Sequence, residues 1–243
     1  MITIVIPTLW RSPETLHSTI ESFKRTLKDY PNNELILIDN ANSDFKDDIV
    51  NVVKPRKNIG VNPAWNVGAD MAYNEHVLFM NDDITVNFKP VLECLYRDLE
   101  GLKYGTITGD KERIATEGLN VNDDGDTIEL TRDHSGRFFG FGCFFMVQKE
   151  LYHHIPKRFK YFWGDDWLFY ILEHLRQRKS YFFKNLNLPG KMSVTSNDID
   201  HENNHEENDW WTPTTQAAHD YYKRLNSALF RGDFIDDKNG HQH

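Results

Sequence analysis

The sequence predicts an α/β fold, with a mixed but mostly parallel central sheet and helices flanking it. Three apolar runs carry this expectation: "ITIVI" at 2–6, "ELILID" at 34–39 and "HVLFM" at 76–80. They are short, apolar and largely β-branched or aromatic, as strands buried on both faces of a parallel sheet must be. Between them lie segments of helical period, long enough to serve as right-handed crossovers.

Taken in order, the first run ends at Pro7, and Ser12 and Pro13 then supply an N-cap and a first-turn proline. Leu16, Ile20, Phe23 and Leu27 repeat at helical spacing after them, and "Pro31-Asn32-Asn33" closes the helix. The run at 34–39 completes a β-α-β unit. Asn62-Pro63 opens a second helix through about Tyr73, and the run at 76–80 ends in Asn81-Asp82-Asp83. A third helix runs from Pro90 through Leu92, Leu95 and Leu99. From about residue 104 the alternation fades. "VNDDGDTIEL" at 121–130 reads as a hairpin with an Asp/Gly turn, and lacks the spacing and closing glutamate of a calcium-binding EF-hand loop. "CFFMVQ" at 143–148 reads as a further strand. Asp166 to about Arg178 reads as a helix with Leu168, Ile171, Leu172 and Leu175 inward, and Thr212-Pro213 opens a last helix before a polar tail. The expected organisation is one domain over 1–205, in two halves of 1–103 and 104–205, with 206–243 as an appended helix and tail.

Bulk properties narrow the classes of function. The 243 residues are 39% hydrophobic, 13% aromatic and 27% charged, enough to bury one sizeable core. A formal charge of -9 argues against a protein that grips nucleic acid through its phosphates, which calls for a concentrated basic face. No stretch approaches the roughly 18 apolar residues of a transmembrane helix, and the N-terminal run lacks the basic start of a signal peptide. A cytoplasmic location is the resulting expectation. Cys94 and Cys143 have no companion at metal-ligand spacing and read as reduced core thiols.

Three constellations carry chemistry. In open α/β sheets ligands bind beyond the carboxyl ends of the strands, so Pro7-Thr8, Asp39-Asn40 and Asn81-Asp82-Asp83 are expected to converge on one crevice. Acids after a strand often merely solvate a turn. In a chain this acidic, however, a phosphate ligand needs neutralising, and a carboxylate holding Mg²⁺ or Mn²⁺ through hard oxygen atoms would do so; Asp83 is the expected ligand, with Asp82 acting on the sugar or behind the metal. In "YFWGDDWLFYIL" at 161–172 a glycine turn delivers Asp165 and Asp166 to a helix N-terminus between Trp163 and Trp167. Capping explains one acid; flat rings beside the second suit a sugar. In "NDIDHENNHEEND" most residues read as a solvated loop, but His201 follows the last strand-like segment and is placed to complete a metal shell.

Together these segments resemble the family 2 glycosyltransferases, whose nucleotide-diphospho-sugar fold is known as GT-A, and especially their rhamnosyltransferase-like members. The resemblance covers roughly residues 1–205 and implies that 1–103 is a nucleotide-binding half and 104–205 an acceptor and catalytic half. It rests on "VIPT", "LILIDNANSD", "NIGVNPAWNVGADMA", "FMNDDITV", "GFGCFFMVQKEL" and "WGDDWLFYIL", in that order. It implies donor contacts at Pro7, Thr8, Asp39, Asn58, Gly60, Asn66 and Asp82, and metal ligation at Asp83 and His201. Asp166 falls at the place of the general base, with Asp165 beside it. The implied reaction is inverting single displacement from a UDP- or dTDP-sugar to a hydroxyl acceptor, with glycan favoured and transfer of a hexose or deoxyhexose. Asn81 departs from the family's first aspartate, and Trp65 stands where many members carry an arginine against the diphosphate. Two other classes compete: a nucleotidyltransferase, for which "VIPTLWRSPETL" lacks the glycine-rich basic loop, and an inactive carbohydrate-binding relative.

Overall fold

The computed structural model describes residues 1–110, 113, 119–123, 125–132, 142–157, 159 and 164–190. The expected helix from Thr212, His201, and Trp163, Trp210 and Trp211 lie outside the described residues.

Strands β1 (Ile2–Thr8), β2 (Glu34–Asp39) and β4 (His76–Met80) form where the apolar runs predict them, joined through helices α1 (Pro13–Thr26) and α2 (Val61–Met71). β1 lies between β2 and β4 and is parallel to both, with Val5 opposite Ile36 and Phe79. Strand β3 (Asn51–Val53) extends the parallel edge beside β2 and was not legible in the sequence. Helix α3 (Phe88–Asp98) follows β4, and the second half of the sheet is mixed. There β7 (Phe144–Gln148) runs antiparallel to both β4 and β5 (Thr106–Gly109). β8 (Tyr181–Lys184) then pairs parallel with β5, and β6 (Glu129–Thr131) pairs antiparallel with β8. The eight strands are ordered β3-β2-β1-β4-β7-β5-β8-β6.

The expected hairpin at 121–130 is therefore corrected. Its Asp/Gly turn is present, with Asp123 accepting from the Gly125 N–H at 2.8 Å, but β6 pairs with a strand some fifty residues away. The side chain of Asn122, 3% exposed, donates to the Asn185 carbonyl and accepts from the Asn187 N–H, so this stretch is anchored to the β8 region.

Helices cover both faces of the sheet. Ile2, Ile4 and Ile6 of β1 join Leu16, Ile20 and Phe23 of α1 and Val91, Leu92 and Leu95 of α3 in one fully buried cluster. Each such side chain contributes about 1.5–3 kcal/mol relative to exposure. Phe23 meets Phe88 edge-on at 6.0 Å. On the opposite face α2 lies against β1 so closely that a Cβ on Gly68 would fall 2.2 Å from Val5 Cγ1. Any larger residue there would push the helix off the strand.

Two further details depart from the sequence reading. Ser12 precedes α1 as expected, but its hydroxyl makes no cap hydrogen bond; its carbonyl accepts from Leu16 N–H instead. Helix α4 spans Gly164–Tyr170, and the chain then widens into a π-helical turn over Ile171–Leu175, closed by Arg176 N–H on the Ile171 carbonyl at 2.9 Å. Widening rotates later residues out of the α-helical phase. Leu168, Ile171 and Leu172 stay buried, while Leu175, expected inward, is 54% exposed.

Candidate active site

The carboxyl ends of β1, β2 and β4 and the start of α2 enclose a pocket of about 60 Å³, lined by Pro7, Thr8, Leu9, Arg11, Ser12, Asn40, Asn58, Gly60, Val61, Asp82 and Asp83. Parallel strands leave no ladder partner beyond their last residues, so the loops that follow them meet here. A larger cavity, about 490 Å³, lies at the other end of the strands, where Met1, Ile2 and His76 begin β1 and β4. That is the end at which parallel α/β sheets do not build ligand sites, and neither Asp82–Asp83 nor Asp165–Asp166 lines it.

Hydrogen bonds knit the pocket's loops together. The Thr8 hydroxyl donates to Asp82 Oδ2 and accepts from Trp10 N–H at 2.8 Å. Asn40 N–H donates to the Thr8 carbonyl at 2.9 Å, and Asn40 Oδ1 accepts from Ile59 N–H at 3.1 Å. Asn58 Oδ1 accepts from Gly60 N–H at 2.8 Å, ordering the turn into α2. Burial pushes the Asp82 carboxyl above its ordinary range, against the hydroxyl of Thr8, the N–H of Leu9 and the charge of Arg11, which all favour the carboxylate.

Of the residues anticipated for donor contact, Pro7, Thr8, Asn58, Gly60 and Asp82 line this pocket, and so does Asp83, anticipated as a metal ligand. Asp39 and Asn66 do not. Asp39 is fully buried: Oδ1 accepts from Trp10 Nε1 at 3.0 Å and Ala41 N–H at 3.1 Å, and Oδ2 accepts from the Ser43 hydroxyl at 2.8 Å. It therefore holds the Trp10 loop from beneath; Trp10 has φ 59°, a left-handed backbone rare for so bulky a side chain. The Asn66 amide clamps the segment after β7, donating to the Ile155 carbonyl and accepting from Tyr152 Oη and Ile155 N–H at 2.8–2.9 Å. Trp65 belongs to the core, 3% exposed and edge-on to Phe145 at 5.0 Å. Arg11, Ser12, Leu9 and Val61 were not anticipated; a loop residue beside a strand end is the only sequence signal they carry.

The second acidic pair reaches the same region. Asp165 and Asp166 open α4, and Gly164 before them packs so tightly that a Cβ would lie 2.2 Å from Asn62 Oδ1 of α2. Asp165 Oδ2 accepts from the Gly142 N–H at 2.9 Å, while the next residue's carbonyl, that of Cys143, accepts from Asn81 N–H at 2.9 Å. The buried Cys143 thiol is pushed up to about 12 by burial and by the charges of both Asp165 and Asp83. The loop at 142–143 thus hydrogen-bonds to both acidic segments. Burial raises Asp165 above the ordinary carboxylate range despite three backbone N–H donors, and raises Asp166 well above it, with the charge of Asp165 adding to the effect. Among the described residues, no hydrogen-bond donor approaches the Asp166 carboxylate. Trp167, anticipated beside a sugar, packs edge-on to Phe159.

Among the described residues no three His, Cys, Asp or Glu side chains cluster as a metal site. Asp83 nonetheless offers hard carboxylate oxygen at the pocket, and the chain returns to it: Gly190 bridges to Ile84, and Thr85 N–H donates to the Pro189 carbonyl at 2.8 Å. This donor chemistry fits Mg²⁺ or Mn²⁺. No helix among the described residues is long and apolar enough to cross a membrane.

Comparison with known proteins shows the fold and the family. S. aureus TarS 1-349 in complex with UDP superposes with a TM-score of 0.57 at 15% identity, over 77% of this chain and 59% of that one. The mannosyltransferase PcManGT from Pyrobaculum calidifontis, in complex with GDP-Man and Mn²⁺, gives 0.53 at 14% identity, over 78% and 55%. GalNAc-T7 with UDP, GalNAc and Mn²⁺ gives 0.52 at 16%, over 78% and 43%. The chain thus spans less than two thirds of the length of each, and at these identities they show a shared fold, GT-A. No curated protein matches the sequence. The model of Glycosyl transferase family 2 matches residues 3–156, well over half of the sequence, and the chain therefore belongs to the family 2 glycosyltransferases.

Proposed function

We propose that the chain transfers a hexose or deoxyhexose from a UDP- or dTDP-sugar to a hydroxyl acceptor, with a glycan favoured, by inverting single displacement assisted by Mn²⁺ or Mg²⁺. The observation that carries this reading is that one loop joins the two acidic segments: Gly142 N–H donates to Asp165 at the start of α4, and the adjacent Cys143 carbonyl accepts from Asn81 N–H, two residues before Asp83 at the pocket. Donor phosphates at the first pair would place the sugar's reacting carbon toward the second. The rhamnosyltransferase-like character of the sequence supports a deoxyhexose, and the acidic surface supports a glycan over nucleic acid. The cytoplasm is the compartment this reading assigns.

In this reading Pro7, Thr8, Asn58 and Gly60 shape the nucleotide end of the pocket, while Asp39 and Asp82 hold its loops. Asp83 would bind the metal, with His201 as a second ligand; when bound, the ion supplies Lewis acidity to the departing diphosphate. Asp166 accepts the proton of the attacking hydroxyl. Its environment supports that role, since burial and the neighbouring Asp165 charge raise its proton affinity toward the range useful at neutral pH. Asp165 positions rather than reacts, tying Gly142 to the start of α4.

Family membership sets aside a nucleotidyltransferase. An inactive carbohydrate-binding relative is separated by one experiment, incubation with a panel of nucleotide sugars and Mn²⁺ with detection of free nucleoside diphosphate. Turnover with inversion at the transferred carbon is the expected result; absence of release from every donor would refute an enzymatic role.

A further inference from the structure

The pocket poses a problem of charge. A nucleoside diphosphate is strongly anionic, yet the lining contributes Asp82 and Asp83, and Trp65, which stands where many family members carry an arginine, is locked in the core. Among the described lining residues the only cation is Arg11. It follows β1 on the loop held by the Thr8 hydroxyl and the Asp82 carboxylate, and its charge already acts on Asp82. Its side chain is exposed, so it reaches the pocket with little desolvation cost.

Resting on the donor reading above, we infer that Arg11 binds the donor's diphosphate and that Asp82 positions it. The guanidinium presents several N–H donors in a planar fork suited to phosphate oxygens. Asp82, committed to Thr8 and to the N–H of Leu9, shapes the loop that carries Arg11 and is not the metal's main ligand. The positive charge for the diphosphate then comes from the β1–α1 loop instead of α2.

The test is titration of the full chain with UDP, dTDP, uridine and thymidine in MnCl₂, for wild type, Arg11→Gln and Arg11→Lys, with melting temperatures as a check on folding. Loss of one charge-assisted contact is expected to weaken the preferred nucleoside diphosphate about 10- to 100-fold in Arg11→Gln. The matching nucleoside should be unaffected, and Arg11→Lys should fall between. Unchanged diphosphate affinity in Arg11→Gln would overturn the assignment, as would equal weakening of diphosphate and nucleoside, which would mean the residue only shapes the loop. A wild-type chain that binds neither diphosphate would instead overturn the donor reading, and this inference with it.

Discussion

Replacing each of the two adjacent aspartates at the start of α4 by asparagine tests their separate roles through two independent readouts. Burial pushes the Asp165 carboxyl up to about 6 from an ordinary 3.8. A carboxyl whose folded pKa lies above its unfolded value stabilises the fold only while protonated, so stability falls as pH rises from about 4 through 6. Fully ionised, Asp165 costs about 3 kcal/mol, at 1.36 kcal/mol per pKa unit. Asparagine keeps an acceptor for the Gly142 N–H but loses the charge that favours a helix N-terminus, worth about 0.3–1 kcal/mol. Asp165→Asn should therefore stabilise the protein by about 2 kcal/mol at pH 8, or about 4–8 °C in melting temperature. The gain should disappear by pH 4, where both forms are neutral. Scanning fluorimetry from pH 4 to 8 measures this directly. Asp166→Asn should also gain stability at high pH, because burial and the Asp165 charge both oppose its ionisation. Turnover separates the two: Asp166→Asn should lose about 10²- to 10⁴-fold, the usual worth of a general base, while Asp165→Asn keeps most activity. Equal destabilisation of Asp165→Asn at pH 4 and pH 8 would refute the electrostatic argument. Retained transfer in Asp166→Asn would remove it as the base.

Three further outcomes are expected. Asp83→Ala should abolish the Mn²⁺-dependent part of the melting shift caused by UDP, with Asp82→Ala weakening it less; an equal shift of the wild type in excess EDTA would dismiss a metal at Asp83. His201→Ala should change the Mn²⁺ dependence of turnover and His205→Ala should leave it alone, which a metal titration of initial rates decides. Gly68→Ala places a Cβ 2.2 Å from Val5 Cγ1 and should cost about 1–3 kcal/mol in denaturant unfolding without altering donor specificity; an unchanged midpoint would show that α2 can shift freely on β1.

Much of the nucleotide-binding half was legible before any coordinates. β1, β2 and β4 are buried on both faces, so their sequences are continuous apolar runs, and the residues just past them lie at the pocket for topological reasons. In the second half β7 and the start of α4 were legible, but the shorter strands were not. β5 is "TITG" and β6 is "ELT", three or four residues each with little periodicity, and they exist because β7 and β8 supply partners from distant sequence. Leu175 kept helical spacing with Leu168 and Leu172, yet a π turn, invisible to periodicity, carried it into solvent.

By itself the sequence determined the α/β class and the gathering of Pro7, Thr8, Asp82 and Asp83 beyond the carboxyl ends of the strands, and it singled out the acidic residues proposed to act there. Those follow from local pattern: apolar period, chain-breaking residues and charge. Tertiary structure decided which polar groups face the pocket and which are consumed inside. Asp39 and Asn66 look as available in sequence as Thr8 and Asn58, but their oxygens are occupied by Trp10, Ser43, Tyr152 and Ile155, between 4 and 89 residues away along the chain. A buried polar group must find a partner, and only the folded chain brings that partner within reach.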